Sequence, residues 1–144
     1  MTRKEVSQIY YYNREIEKLE RDVEELQARR EQFETSNLRS TKLDGMPRAA
    51  GGKNNPVENA AIAAAEIKKA IDEQLKIIER YKYRIEMKRK EIYEYITTLD
   101  DPLIEQIIMY RCINMCKWSQ VAAYVGGDNT EESVRKAFNR HFGE

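Results

Sequence analysis

The sequence predicts an all-α fold, in which a long antiparallel helical hairpin or coiled coil is followed by a C-terminal helix-turn-helix bundle. Two long segments, residues 4–35 and 57–99, repeat apolar side chains at helical spacing. Charged residues make up 35% of the chain and only 3 residues are proline, which is typical of a helical chain rather than a disordered one. Residues 100–144 then carry further short helical patterns around a glycine turn.

Residues 4–35 are predicted to form the first helix. Their apolar side chains alternate in steps of three and four, which is the seven-residue repeat of a coiled coil. The repeat comprises Ile9, Tyr12, Ile16, Leu19, Val23, Leu26 and Phe33, with Arg30 in the remaining place. For the adjacent Tyr10, Tyr11 and Tyr12 we expect one or two rings to pack and the rest to be exposed; a stacking platform for nucleic acid is the alternative.

Residues 36–56 interrupt the helical pattern with serine, asparagine, glycine and proline, all of which favour turns or disorder. A connection of this length is either mobile or functional. The segment is basic, and two interpretations stay open: a flexible linker between antiparallel helices, or an arm that touches the DNA backbone or minor groove. The residues of that arm would be Arg39, Lys42, Arg48 and Lys53.

Residues 57–99 are predicted to form a second, longer helix, for which Asn55 could be the cap and Pro56 suits the first helical position. One apolar seam recurs every seven residues without interruption, at Val57, Ala64, Ile71, Ile78, Ile85, Ile92 and Leu99. Seams of this length must be buried, so an antiparallel hairpin, a dimer, or both are required. A run of lysine, arginine and tyrosine at residues 80–90 could follow a phosphate backbone, or could be the solvated face of the coiled coil.

Asp100, Asp101 and Pro102 are expected to end this helix and to start a strongly apolar one that reaches about Met115. Cys112 and Cys116 are the only cysteines and are spaced by four, which predicts two buried thiols on one helix face in a reducing cytosol. A metal site would need further ligands, and the chain has one histidine, His141. No metal or other cofactor is predicted.

The stretch from Trp118 to Phe142 has the pattern of a DNA-binding helix-turn-helix. Its first helix has an apolar stripe at Val121, Ala122 and Val125, and Gly126 and Gly127 end it, because glycine readily adopts the left-handed conformation. Thr130 is the predicted N-cap of the second helix. The predicted buried stripe of that helix consists of Val134, Ala137, Phe138 and Phe142.

In such a motif the first turns of the second helix face the base edges in the major groove. Arginine can pair with guanine, asparagine with adenine, and glutamate can accept from cytosine. The net charge of residues 100–144 is −2, from 5 basic and 7 acidic residues, so basic groups would have to be clustered on one face. The candidate DNA-binding residues are Thr130, Glu131, Ser133, Arg135, Lys136, Asn139 and Arg140.

Residues 100–142 resemble the fourth region of bacterial sigma factors, and the similarity is closer to phage proteins of the RinA/ArpU type, which are sigma-like regulators of late phage transcription. The Gly-Gly-x-Asn-Thr-x-x-Ser-x-Arg-Lys run from Gly126 to Lys136 carries this resemblance, together with the segment from Leu43 to Arg48. The resemblance implies a sequence-specific DNA-binding regulator, an activator of late genes, which acts at a promoter and contacts RNA polymerase.

We therefore expect a hairpin domain at residues 1–99 and a sigma-like DNA-binding domain at residues 100–144. The expected partners are double-stranded DNA, RNA polymerase and a second copy bound through helices 4–35 and 57–99. The chain lacks an apolar run of about 18 residues and a visible signal peptide, so we expect a cytoplasmic protein. The resemblance implies that it is encoded by a phage or prophage in a bacterial host cell.

Enzymatic activity is not expected, since the sequence has no glycine-rich phosphate loop, no His–Glu metal pair and no nucleophile beside a base. Catalytic residues are accordingly not assigned. Two other hypotheses stay open. One is a phage DNA-packaging protein like a small terminase subunit, and the other is a coiled-coil adaptor without DNA binding.

Overall fold

The structure is a computed structural model that describes residues 1–42 and 56–143, without the side chains of residues 36–42 and 56. All regular elements in this described part are helical, which confirms the predicted all-α class. The helices are α1 (Arg3–Val6), α2 (Gln8–Lys42), α3 (Pro56–Thr97), α4 (Pro102–Ile108), α5 (Trp118–Val125) and α6 (Glu131–His141), and a π-helical turn at Met109–Ile113 follows α4.

The first predicted helix is divided in the structure. Thr2 caps α1, because its hydroxyl accepts from the Glu5 backbone N–H at 3.2 Å while the Glu5 carboxylate accepts from the Thr2 N–H at 2.7 Å. A turn at Ser7 separates α1 from α2, so the prediction of one helix beginning at residue 4 was wrong. A separate short turn precedes α2, which begins at Gln8.

The predicted end of the first helix at residue 35 was also wrong, because α2 continues to Lys42. Serine and asparagine each cost a helix less than about 1 kcal/mol relative to alanine, which is too little to stop a long helix that meets no glycine or proline. The hydroxyl of Thr35 donates to the Glu31 carbonyl at 2.9 Å and so remains within the helical turn. The glycines and prolines that motivated the predicted break, apart from Pro56, lie outside the described residues.

The long helix α3 begins at Pro56, as predicted, but ends at Thr97 rather than at residue 99. The hydroxyls of Thr97 and Thr98 donate to the carbonyls of Glu94 and Tyr95 at 2.7 and 2.6 Å. These side-chain bonds satisfy the carbonyls of Glu94 and Tyr95, which in a longer helix would accept from backbone N–H groups of the next turn. The threonine pair therefore closes α3 before Leu99.

The seven-residue seams are buried over part of their length where α2 and α3 pack together, whereas Phe33, the last member of the first seam, is 36% exposed. On α3, Ile71, Ile78, Ile85 and Ile92 are at most 7% exposed. The matching buried positions at the start of the chain are Val6, Ile9, Ile16 and Val23. Burying an aliphatic side chain of this size stabilises a fold by about 1.5–3 kcal/mol, so the periodic isoleucines account for the helical hairpin.

The chain divides into two compact units, one formed by Met1–Glu15 with Tyr81–Glu144 and the other by Ile16–Arg80. In the first unit Tyr12 of α2 packs against Tyr81 of α3, with ring centroids 5.7 Å apart. Tyr10 and Tyr11 are 48% and 63% exposed, so the expectation that only part of the tyrosine cluster packs is confirmed. The predicted boundary between residues 99 and 100, and pairing with a second copy, stay predictions.

The loop between α3 and α4 begins the C-terminal bundle, and all of it belongs to the first unit. Asp101 caps α4 as predicted: its carboxylate accepts from the backbone N–H groups of Leu103 and Ile104 at 3.1 and 3.3 Å. Pro102 occupies the first helical position. Helix α4 and the π-helical turn after it together form the support helix of the C-terminal bundle. Its buried side chains are Ile104, Ile107, Ile108, Cys112 and Ile113.

The sequence predicts that the support helix reaches about Met115, but in the structure it ends at Ile113. Its last turn widens, with the Asn114 N–H bonded to the Met109 carbonyl at 3.0 Å, and Met115 has a left-handed φ of 59°. Because of this early end, Cys116 lies beyond the helix and is half-buried, whereas Cys112 is buried within the π-helical turn. The predicted pair of buried thiols on one helix face was therefore wrong.

Candidate nucleic-acid interface

Helices α5 and α6 are joined by a glycine turn, as the sequence predicts. Gly126 and Gly127 have φ values of 75° and 64°, and Gly126 combines its φ with a ψ of −157°. This last combination is accessible almost only to glycine. The Asn129 side chain donates to the Gly126 carbonyl at 3.0 Å and closes the turn.

Helix α6 begins with a reciprocal cap. The Thr130 hydroxyl accepts from the Ser133 N–H at 3.1 Å, and the Ser133 hydroxyl accepts from the Thr130 N–H at 2.8 Å. The N-cap prediction for Thr130 is confirmed. Both hydroxyls already have intramolecular partners, so a role for them in contacting bases would compete with the cap.

The inner face of α6 is held by an aromatic cluster. Val134 is fully buried and Phe138 is 3% exposed. The Phe138 ring lies 5.3 Å from the Trp118 ring and 4.9 Å from the Phe142 ring, measured between centroids. Ala137 and Phe142 are only partly buried, so the predicted stripe is fully buried at Val134 and Phe138 alone.

The end of α6 is tied to the long helix α3. The hydroxyl of Tyr95 lies 2.8 Å from Nε2 of His141 and forms a hydrogen bond with it. Burial raises the pKa of Tyr95 above its ordinary value, so the phenol keeps its proton at neutral pH. Packing on one side and this bond at the end fix the direction in which the other face of α6 points.

The outer face of α6 is exposed and carries charges of both signs. Arg135, Lys136 and Arg140 are exposed cations, and Glu131 and Glu132 lie in the first turn. Nζ of Lys136 is 2.8 Å from the Glu132 carboxylate. This bond to Lys136 is the main cause of a lowered pKa for Glu132, and phosphate would have to compete with it for the ammonium group.

The structure brings six of the seven predicted DNA-binding residues together on the exposed surface of one element or its cap. They are Thr130, Glu131, Ser133, Arg135, Lys136 and Arg140. The seventh, Asn139, is half-buried, and its Oδ1 is enclosed without a hydrogen-bond partner. An enclosed amide oxygen cannot reach a base edge without a change of side-chain rotamer.

The other predicted DNA contacts are not placed in the same way. The side chains of the possible arm, Arg39, Lys42, Arg48 and Lys53, lie outside those that the structure describes. Several groups of the 80–90 basic run are used within α3. Lys88 pairs with Glu91 at 2.6 Å, Arg89 pairs with Glu86 at 3.3 Å, and Arg84 lies 5.6 Å from the centre of the Tyr81 ring.

Arg111 is a residue that the sequence analysis did not single out. Its guanidinium carbon lies 4.5 Å from the centre of the Trp118 ring, and its Nη1 donates to the Cys116 carbonyl at 3.0 Å. These contacts join the end of the support helix to the start of α5. The only signal in the sequence is one arginine within an otherwise apolar segment, which does not distinguish this role from a solvated side chain.

Metal binding gains no candidate in the described part of the chain, and Cys112 is shielded from thiol chemistry. Its histidine, cysteine and acidic side chains form no group that could hold a metal ion. Burial raises the pKa of the Cys112 thiol to about 12, so this cysteine is protonated and weakly nucleophilic at neutral pH. None of the helices in residues 1–42 and 56–143 combines the length and the apolar character needed to cross a membrane.

Comparisons with protein-family models, with curated proteins and with solved structures found no match for this chain. The similarity to the phage regulators therefore depends on the short motifs quoted above and stays a prediction.

Proposed function

We propose that this protein binds double-stranded DNA sequence-specifically and regulates transcription, with α6 as the helix that enters the major groove. The observation that carries the proposal is the division of α6 into two faces. Val134 and Phe138 anchor one face in the bundle, while Arg135, Lys136 and Arg140 are exposed on the other. A helix held in this way by a second helix and a short turn has the form of known major-groove readers.

The exposed groups have different expected roles. Arg135 lies at the fifth position of α6, near the helix start, where it can pair bidentately with guanine. Lys136 and Arg140 suit phosphate contacts, which position a protein without selecting sequence. Glu131 can accept from cytosine, but it also repels the backbone, so it favours selective over general binding.

The resemblance to sigma-like phage regulators supports a more specific form of the proposal. The DNA site would lie at a late phage promoter, and the protein would contact RNA polymerase there. Pairing of two copies through helices α2 and α3 would present two copies of α6 to a symmetric site. Each of these points is an expectation to be tested with the DNA site in hand.

The first test is selection of bound sequences from a random duplex DNA pool by the full chain, at stated salt because phosphate contacts are salt-dependent. Enrichment of one motif supports the proposal, and a palindromic motif also supports a dimer. A motif located at a packaging site rather than upstream of late genes would favour a protein like a small terminase subunit. No enrichment at any salt would refute sequence-specific binding and favour the coiled-coil adaptor.

A pair of double variants then assigns the binding surface. Arg135→Ala with Lys136→Ala should weaken binding to the selected site by about tenfold or more, since a bidentate contact to a base discriminates by about 1–3 kcal/mol. The matched control is Lys68→Ala with Lys69→Ala, which removes the same charge from an exposed part of α3. If both variants fold and bind equally well, α6 is not the interface.

A further inference from the structure

A cleft lies within the first compact unit, and its lining residues do not include the exposed cations of α6. This cleft has a volume of about 860 Å³, inside the range of about 300–1,000 Å³ that is usual for small-molecule sites. It is formed by α1, the start of α2, the end of the support helix, the start of α5 and one residue of α6. Its lining residues are Arg3, Lys4, Val6, Ser7, Tyr10, Tyr11, Arg111, Cys112, Met115, Lys117, Trp118 and Phe138.

The charged side chains that line the cleft are all cations. Arg3, Lys4, Arg111 and Lys117 contribute positive groups from three separate segments, and no carboxylate is among the described residues that line it. The bond from Arg111 to the Cys116 carbonyl uses one of the five N–H donors of its guanidinium. Several positive groups around one concavity attract an anion more strongly than any one of them does alone.

The cleft also contains aromatic surface that the fold does not bury. Trp118 is already engaged, since the Arg111 guanidinium covers its ring and Phe138 packs against it. Tyr10 and Tyr11, in contrast, are largely exposed and meet edge to face, with centroids 5.4 Å apart and planes at 82°. This arrangement leaves ring faces available for stacking with a planar group.

We propose that this cleft binds a nucleoside phosphate, with the base stacked on Tyr10 or Tyr11 and the phosphates held by Lys4, Lys117 and Arg111. Proteins that bind single-stranded nucleic acid combine cations with aromatic rings, because the rings stack on the bases and the cations pair with the phosphates.

This site is separate from the proposed DNA-binding face and does not depend on it. The exposed cations of α6 at Arg135, Lys136 and Arg140 are not among the lining residues of the cleft. A nucleoside phosphate could reach the cleft as a free nucleotide or as an unpaired nucleotide of a DNA or RNA strand. The chemistry is shared, and the choice of probe distinguishes the two sources.

The experiment titrates the full chain with ATP, with inorganic triphosphate, with adenosine, with a short 5′-phosphorylated single-stranded oligonucleotide and with an acidic peptide. Trp118 is the single tryptophan of the chain and lines the cleft, so its fluorescence reports occupation there, while calorimetry gives Kd. ATP or the oligonucleotide should bind saturably and change the fluorescence. Triphosphate and adenosine, which each lack one half of the recognised chemistry, should bind about tenfold more weakly or worse.

Matched double variants test the assigned residues. Lys4→Glu with Tyr11→Ala should weaken binding by about tenfold or more, because it reverses one charge and removes one stacking face. The control, Lys76→Glu with Tyr93→Ala, makes the same changes at exposed positions outside the cleft and outside the 80–90 basic run, and nucleotide binding by it should stay within about twofold. Binding of duplex DNA should persist in both variants, which separates this proposal from the one for α6.

Tighter binding of the oligonucleotide than of ATP would identify a strand as the source, and the reverse would identify a free nucleotide. Absence of saturable binding by both would overturn the proposal. Equal weakening by the cleft variant and its control in folded protein would also overturn it, as would binding of the acidic peptide alone.

Discussion

Replacing Phe138 by alanine should remove most of the support under the outer face of α6. Burying an aromatic side chain takes about 150–250 Å² out of water, which at about 25 cal/mol per Å² corresponds to about 4–6 kcal/mol. Alanine keeps part of this burial and unfolded chains already hide some of the ring. Because Phe138 is only 3% exposed, we expect the free energy of unfolding to fall by about 3–5 kcal/mol.

The assay is urea-induced unfolding of the full chain, followed by the fluorescence of Trp118, whose ring lies 5.3 Å from that of Phe138. Circular dichroism provides a second probe of unfolding. If the free energy of unfolding depends on urea concentration with the same slope in the variant and the original protein, both expose the same surface on unfolding. Tyr83→Ala is the control, since Tyr83 is 66% exposed and its loss should cost no more than about 0.5 kcal/mol. A loss below about 1 kcal/mol for Phe138→Ala would refute the inferred role of the aromatic cluster.

Three further predictions concern the turn, the thiols and the charge of α6. Gly126→Ala should lower the free energy of unfolding by about 1–3 kcal/mol, because the backbone conformation of Gly126 is nearly exclusive to glycine. Gly127→Asn should lower it by less, since asparagine tolerates the left-handed region. Thermal unfolding compares the two variants, and equal losses of stability would contradict the assigned backbone conformations. At pH 8 a disulfide reagent should modify Cys116 well before Cys112, whose pKa burial raises to about 12; mass spectrometry after digestion decides the order, and modification of both at one rate would disprove the burial argument. Glu132→Gln should release Lys136 from its ion pair, so duplex DNA should bind severalfold more tightly and binding should release about one more counterion. Binding titrations at several salt concentrations measure this number. An unchanged dependence of binding on salt would count against Lys136 as a phosphate contact.

The long-range order of this chain follows from periodicity. Isoleucine at every seventh position of α3 predicts a buried seam, and Ile71, Ile78, Ile85 and Ile92 are buried. Residue chemistry likewise predicts the caps at Asp101 and Thr130, because a short oxygen-bearing side chain before an apolar helix has a local partner in the backbone. These features depend on neighbours within one or two helical turns, so the sequence contains nearly all of the relevant information.

The features that could not be predicted depend on small differences between competing local bonds. The cap formed by Thr2 and Glu5 gains only about 1 kcal/mol, yet it fixes the start of α1 at Arg3. The widened turn before Asn114 ends the helix early, and Cys116 lies beyond it. The cleft residue Lys4 is far in sequence from Arg111 and Lys117 and meets them only through the fold, so pattern alone gives no reason to group them.

The π-helical turn at Met109–Ile113 has a geometric consequence for everything after it. Each residue of an α-helix advances the chain by about 100° around the axis, and a π-helical turn accommodates one more residue than an α-helical turn does. Deleting one residue from this turn would therefore change the azimuth at which the chain leaves the support helix. Helices α5 and α6 would be rotated against the isoleucines on which they now rest, although their own sequence would be untouched.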